Sequence, residues 1–90
     1  MEQVSYNVGM GIYPNPASEY ATIAITLKEA SDVQMGVYNL LGDEVYSMDK
    51  SQLHAGTSYT TVDVSSLSSG IYVVKLYSGS EVHAQKLVVR

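Results

Sequence analysis

The chain has no cysteine, no tryptophan and no phenylalanine, and only two prolines in 90 residues. Without cysteine it has no disulfide framework, no thiol nucleophile and no thiolate metal site. No apolar run reaches about 18 residues, so no segment is predicted to cross a membrane as a helix. Met1-Glu2-Gln3 lacks the basic start and apolar core of a signal peptide. That leaves a cytosolic protein, or an internal or C-terminal piece of something larger. Basic residues are also scarce. Five Lys and Arg face nine Asp and Glu, a net charge of −4, which weighs against nucleic acid as a partner. Residues 1–69 hold two lysines against eight acids, giving −6, whereas Lys75, Lys86 and Arg90 against Glu81 make residues 70–90 +2.

What is present points to a globular domain. A hydrophobic fraction of 46% with 16% charged residues is the balance of a chain with a core, and the length fits one domain of the usual range of about 100–150 residues or slightly less. The aromatic content is eight tyrosines. A tyrosine packs its ring while its hydroxyl reaches water or backbone, which suits half-buried strands.

Apolar alternation is interrupted by turn signals at spacings of roughly 8–12 residues, the pattern of a sandwich or barrel. Val8 to Tyr13, with Gly9 and Gly11 inside it, stops at Pro14-Asn15-Pro16, where two backbone donors are lost. Glu19 to Leu27 places Ala21, Ile23, Ile25 and Leu27 on one face. Val33 to Tyr38 alternates too. A helical stripe through Val33, Val37, Leu40 and Leu41 competes with it, but the run is short, contains Gly36 and closes on Leu41-Gly42-Asp43, so a strand is predicted. Glu44 to Met48, Ser58 to Val64, Gly70 to Tyr77 and Glu81 to Arg90 complete seven predicted strands, with Leu87 and Val89 facing the core. The fold class is therefore all-β, a seven-stranded immunoglobulin-like antiparallel β-sandwich with Greek-key connections. Residues 1–11 are read as a leader with the start of the first strand, and residues 12–90 as a single domain. Leu67-Ser-Ser-Gly70-Ile-Tyr72 has the form of a tyrosine corner, with Gly70 permitting a sharp entry.

No catalytic constellation is legible, and the chain is read as non-enzymatic with no cofactor. His54 and His83 are the only histidines and do not make a zinc set. The serines at 65, 66, 68 and 69 are turn residues rather than a nucleophile elbow. The acids form no EF-hand loop, and Gly9-x-Gly11 precedes no helix that would make it a phosphate loop. The final run, Lys86-Leu-Val-Val-Arg90, has two readings. It is an edge or paired strand whose charges guard against aggregation, or a basic, exposed edge that a partner reads by strand addition.

Four segments in order resemble one family. They are Tyr13-Pro-Asn-Pro-Ala17; Val37-Tyr-Asn-Leu-Leu-Gly42 with Val45; Leu67-Ser-Ser-Gly70-Ile-Tyr72-Val-Val-Lys-Leu76; and Gln85-Lys-Leu-Val-Val89. Together they resemble the C-terminal sorting domain of cargo proteins exported by the type IX secretion system of Bacteroidetes, over about residues 12–90. The resemblance implies a seven-stranded sandwich at the end of a larger protein, with an N-terminal passenger in cis. It implies transit through the periplasm and delivery to the outer-membrane surface or the exterior. The implied partners are the outer-membrane translocon or shuttle and a sortase-like cysteine protease that removes the domain; the parent is then often attached to anionic lipopolysaccharide. By position, Pro14, Asn15, Pro16, Gly42, Leu67, Gly70 and Tyr72 match fold-defining motif residues. Lys75 and the terminal residues Lys86, Leu87, Val88, Val89 and Arg90 are the expected recognition residues.

Two other classes are compatible with the composition. A carbohydrate-binding or adhesion sandwich would use exposed aromatics such as Tyr38, Tyr46, Tyr59 and Tyr77, and a structural spacer would need no site.

Overall fold

The computed structural model describes residues 7–90. These form strands β1 (Val8–Tyr13), β2 (Tyr20–Leu27), β3 (Ser31–Tyr38), β4 (Glu44–Leu53), β5 (Gly56–Asp63), β6 (Gly70–Ser78) and β7 (Glu81–Val89), with no helix among the described residues. Six residues of the expected leader lie outside the described residues, and β1 takes up the chain from Val8.

Period-two alternation builds both layers. In β2, Ala21, Ile23, Ile25 and Leu27 are buried while Tyr20 and Thr26 are exposed, because successive side chains of a strand point to opposite faces. Val33, Met35 and Val37 of β3, Val74 and Leu76 of β6, and Leu87 and Val89 of β7 alternate inward in the same way. The inner faces meet as one core, in which each fully buried Val, Leu or Ile contributes about 1.5–3 kcal/mol. The strands form a three-stranded sheet, β1-β2-β5, and a four-stranded sheet, β4-β3-β6-β7, with antiparallel pairing throughout the named strands. This is the expected immunoglobulin-like sandwich.

The strand limits differ from expectation mainly at β4, which runs on to Leu53 rather than stopping near Met48. Asp49 to Gln52 are polar and exposed on both faces, so alternation gives no signal there. Backbone pairing to β3 nevertheless continues through Ser51, Gln52 and Leu53, after an irregularity between Val33 and Met35. An edge strand with no second layer to cover it can be polar on both sides and still complete its ladder.

β1 is stitched to β7 at both of its ends, although the two belong to different sheets. After β1 the chain turns through Pro14-Asn15-Pro16 and crosses to the other layer, where Ala17 makes a parallel bridge to Val89. Ala17 N–H donates to Val88 O at 2.8 Å, and Arg90 N–H donates to Ala17 O at 2.9 Å. Pro16 has no N–H to offer, and the Asn15 side chain supplies the missing pair. Its Nδ2 donates to Lys86 O at 2.9 Å, and its Oδ1 accepts from Val88 N–H at 2.9 Å. At the start of β1, Asn7 N–H donates to the Glu81 carboxylate at 3.0 and 3.2 Å, and His83 Nε2 lies 3.0 Å from Glu81 Oε1.

Register then sorts the strand ends. Tyr13 pairs with Thr22, Tyr20 with Asp63, Tyr38 with both Glu44 and Val73, and Gly70 with Val89. The end of β1, the β3–β4 turn, the start of β6 and the end of β7 therefore share one end of the sandwich, called distal here. Val8 pairs with Leu27, Leu27 with Gly56, and Ser78 with Glu81 at the opposite, proximal end, where the chain enters β1.

Two predictions follow from the stitching. Asn15→Ala should lower unfolding stability by about 1–2 kcal/mol, since two hydrogen bonds of roughly 0.5–1.5 kcal/mol each are lost. Asn15→Asp should do no better, because a carboxylate keeps the acceptor for Val88 N–H but faces Lys86 O without a donor; urea titrations of the three proteins check both. The hydrogen bond from His83, and after it that from Asn7 N–H, hold the Glu81 carboxyl below its ordinary value of 4.5. Its charged form therefore stabilises the fold above that value, and the contribution fades as pH falls through the depressed one. Glu81→Gln should be less stable than the parent at pH 7 and converge with it toward pH 3. A stability gap independent of pH would show that the charge is not the source.

Candidate functional site

The lysines of the last two strands are gathered on the outer face of the four-stranded sheet. Because Leu76 and Val74 point inward, Val73, Lys75 and Tyr77 point outward, and Lys86 and Val88 do the same on β7. Lys86 lies directly across from Val73 and Lys75 across from Ala84. The two lysines are thus diagonal neighbours, a separation of roughly 7–8 Å along a sheet. Arg90 is exposed at the distal end, its position set by the bond from its own N–H to Ala17.

Lys75 is held in place by a ring. Its Nζ sits 5.2 Å from the centroid of Tyr38, a cation–π contact worth about 0.5–1 kcal/mol at an exposed site. Tyr38 in turn folds back flat over Gly36. A Cβ added at Gly36 would lie 2.7 Å from the Tyr38 hydroxyl, so only glycine lets the ring approach the strand this closely. Partial burial raises the Tyr38 phenol above its ordinary value, helped by its hydrogen bond with the Glu44 carboxylate and by Tyr77. Cross-strand pairing places Glu44, Tyr38, Val73 and Lys86 in one row. This row thus grades from acidic at β4, through aromatic and apolar residues, to basic at β7.

The expected recognition residues divide by the alternation of β7. Lys75, Lys86, Val88 and Arg90 reach the surface, fully or in part. Leu87 and Val89 are buried in the core, so a partner of the folded domain meets their neighbours and not them. The open-edge reading of the terminal strand also needs correction. From Lys86 to Arg90 the outer edge of β7 is occupied by Asn15 and Ala17, which leaves no room for an added strand there. The cause is the crossing of Pro14–Ala17 between layers, which depends on contacts about 70 residues apart in sequence and has no periodic signal.

The motif residues have local roles. Tyr72 is buried and its hydroxyl donates to Ser68 O at 2.6 Å, the bond of a tyrosine corner. Leu67 packs half-buried against the core. Gly42 has φ 90°, in the left-handed region that favours glycine. The four tyrosines do not form one platform: Tyr38 and Tyr77 share the outer face of the four-stranded sheet, Tyr46 packs against the core, and Tyr59 lies on the other sheet. His83 serves the proximal stitch with Glu81, and His54 is exposed in the β4–β5 connection.

Sequence reasoning gives Gly42 a role and quotes Leu40 and Leu41 in the same motif without assigning them one. Leu40 and Leu41 are 70% and 88% exposed. The signal available was position: two adjacent leucines inside a turn, where the alternation of a strand cannot bury both.

No curated protein matches the chain. A crystal structure of dimeric latent PorU from Porphyromonas gingivalis contains a similar fold, with a TM-score of 0.73 and 19% identity over 91% of this chain. This chain spans 9% of that protein, and at this identity the likeness is one of fold. Residues 11–90 match the family described as secretion system C-terminal sorting domain. The match takes in all four motif segments, and the chain belongs to this family, the sorting domains of type IX secretion.

Proposed function

We propose that the domain is a non-catalytic sorting signal that carries an N-terminal passenger across the outer membrane, read by the export machinery at its distal end and along the outer face of the four-stranded sheet. The observation that carries this reading is convergence. The four motif segments are spread from Tyr13 to Val89, yet the register brings the Pro14–Ala17 crossing, the 39–42 turn, the start of β6 and the end of β7 to the end opposite the chain's entry. A passenger attached ahead of β1 leaves that end free to meet a receptor. Lys75, Lys86 and Arg90 give it a cationic side in an otherwise acidic domain. In this reading the domain acts after the passenger reaches the periplasm, and a sortase-like cysteine protease then removes it at the surface.

A second reading draws on the other sheet. Tyr13, Tyr20 and Tyr59 are 50%, 56% and 66% exposed. By register they share the outer face of β1-β2-β5 with Gly11, Thr22 and Ala24, a floor that a sugar ring could lie on, with Asp63 across from Tyr20 at its distal edge. A glycan array showing binding that is lost on Tyr59→Ala would favour a carbohydrate-binding module instead.

The test of the sorting reading is secretion of a fluorescent protein fused ahead of residues 1–90, with an inner-membrane signal peptide, in a Bacteroidetes host carrying the type IX system. Deleting residues 86–90 would confuse the result, since Leu87 and Val89 are core residues. Lys86→Glu/Arg90→Glu changes only exposed side chains. Export of the parent fusion and at least a tenfold loss for the double variant, at unchanged urea midpoint, is expected. Periplasmic retention of the parent itself would refute the reading.

A further inference from the structure

The turn between β3 and β4 is built rigidly and yet exposes its two largest side chains. Asn39 organises it. The Asn39 Oδ1 accepts from Leu41 N–H at 2.9 Å and from Asp43 N–H at 3.0 Å. Asn39 N–H donates to Asp43 O at 2.9 Å, and Gly42 N–H donates to Asn39 O at 3.0 Å. Four backbone donors are thus satisfied within five residues, and the loop needs no apolar contact to hold its shape. Polar residues would serve at 40 and 41 equally well for folding, since neither leucine belongs to the core or to the residues packed on it. Adjacent exposed leucines instead create a patch of the kind that marks an interaction site.

The surroundings indicate what covers the patch. Leu40 borders a shallow depression of about 270 Å³ lined also by Tyr38, Val73, Lys75 and Tyr77, so knob and hollow lie side by side. Asp43 and Glu44 flank the leucines on the β4 side, while Lys86 lies at the β7 end of the row that Glu44 begins and Lys75 one row further along β6. An anionic membrane surface would attract one half of this pattern and repel the other. A protein surface with basic groups toward β4 and acidic groups toward β7 matches both, and such paired signs fix orientation as well as contact.

We infer that Leu40 and Leu41 are the apolar anchor by which this domain docks into a receptor protein of the export machinery, in a pocket of leucine size flanked by charges of reversed order. The inference rests on the sorting reading and adds the contact that gives it affinity. Buried leucines supply attraction, whereas the exposed lysines and Arg90 steer and orient.

The test uses the same fluorescent fusion to the whole chain, with Leu40→Gln/Leu41→Gln and, as the conservative partner, Leu40→Met/Leu41→Met. Both pairs should keep the parent's urea midpoint, because the replaced side chains are solvent-exposed. The Gln pair should reduce export at least tenfold and the Met pair should restore most of it, since apolar volume is kept. Parent export with an equally exported Gln pair overturns the anchor while leaving the sorting reading intact. Retention of the parent overturns the sorting reading and this inference with it. Two further measurements on the chain of residues 1–90 address other occupants. A dimer in analytical ultracentrifugation that the Gln pair dissociates would assign the leucines to a second copy. Flotation with phosphatidylglycerol vesicles that the Gln pair abolishes would assign them to lipid. Either result overturns a receptor pocket; a monomer that does not float supports it.

Discussion

The hydrogen bonds from Asn15 and Ala17 to β7 are the constraint on which the rest of this molecule leans. A sandwich of two sheets has edges that are open unless something closes them. Here the first strand leaves its own sheet and lays a short segment along the last strand of the other. That segment must turn sharply, which prolines favour, and must still offer a donor and an acceptor to β7, which Pro16 cannot do alone. An asparagine beside it solves both requirements, because its side chain carries one carbonyl and one amide group as a peptide unit does. With the edge closed, β7 is held on both sides at its distal half. Leu87 and Val89 are then fixed in the core while Lys86 and Arg90 project from a surface of defined shape.

The same device recurs. The chain contains three asparagines, Asn7, Asn15 and Asn39, and each substitutes for backbone pairing. Asn7 accepts from Glu29 N–H at 2.8 Å and donates to Glu29 O at 3.2 Å. Asn15 bonds β7. Asn39 collects two N–H groups of its own turn. Each sits where a strand ends and the ladder can no longer satisfy the main chain. Two of the three lie at the distal end, where the family motifs converge. That end is thus held by hydrogen bonds between side chain and main chain, as suits a surface that a receptor is to read at low entropic cost.

Strand positions were legible in the sequence because burial on one face imposes a period of two, and Ile23, Ile25, Val74 and Leu76 show that period undiluted. The segment Val33–Tyr38 is a strand, as its short length and Gly36 suggested, and the structure adds a further use of that glycine. Gly36 is there so that Tyr38 can lie on the strand, a contact between residues two apart that a helix could not make. The end of β4 was not legible, since Asp49 to Gln52 are polar on both faces and the ladder resumes at Ser51 and Gln52 only after a register shift. The buried side of Leu87 and Val89 was visible in the alternation, but the terminal motif as a whole suggested a surface, and only the fold separates its members by face. Leu40 and Leu41 were read as part of a motif, and their exposure became evident only with the turn in three dimensions.

The sequence by itself determined the class of the molecule: an all-β chain of seven alternating strands, with no cysteine chemistry and with basic residues concentrated in its last two strands. These follow from local composition and from periodicity, which every residue carries in its neighbours. The tertiary structure alone decided three things. It closed the β7 edge with Asn15, set Lys75 on Tyr38 over Gly36, and brought segments separated by up to some 70 residues to one end. Each depends on which strands lie side by side and in what register, and pairing between distant segments leaves no trace in the local pattern that specifies the strands themselves.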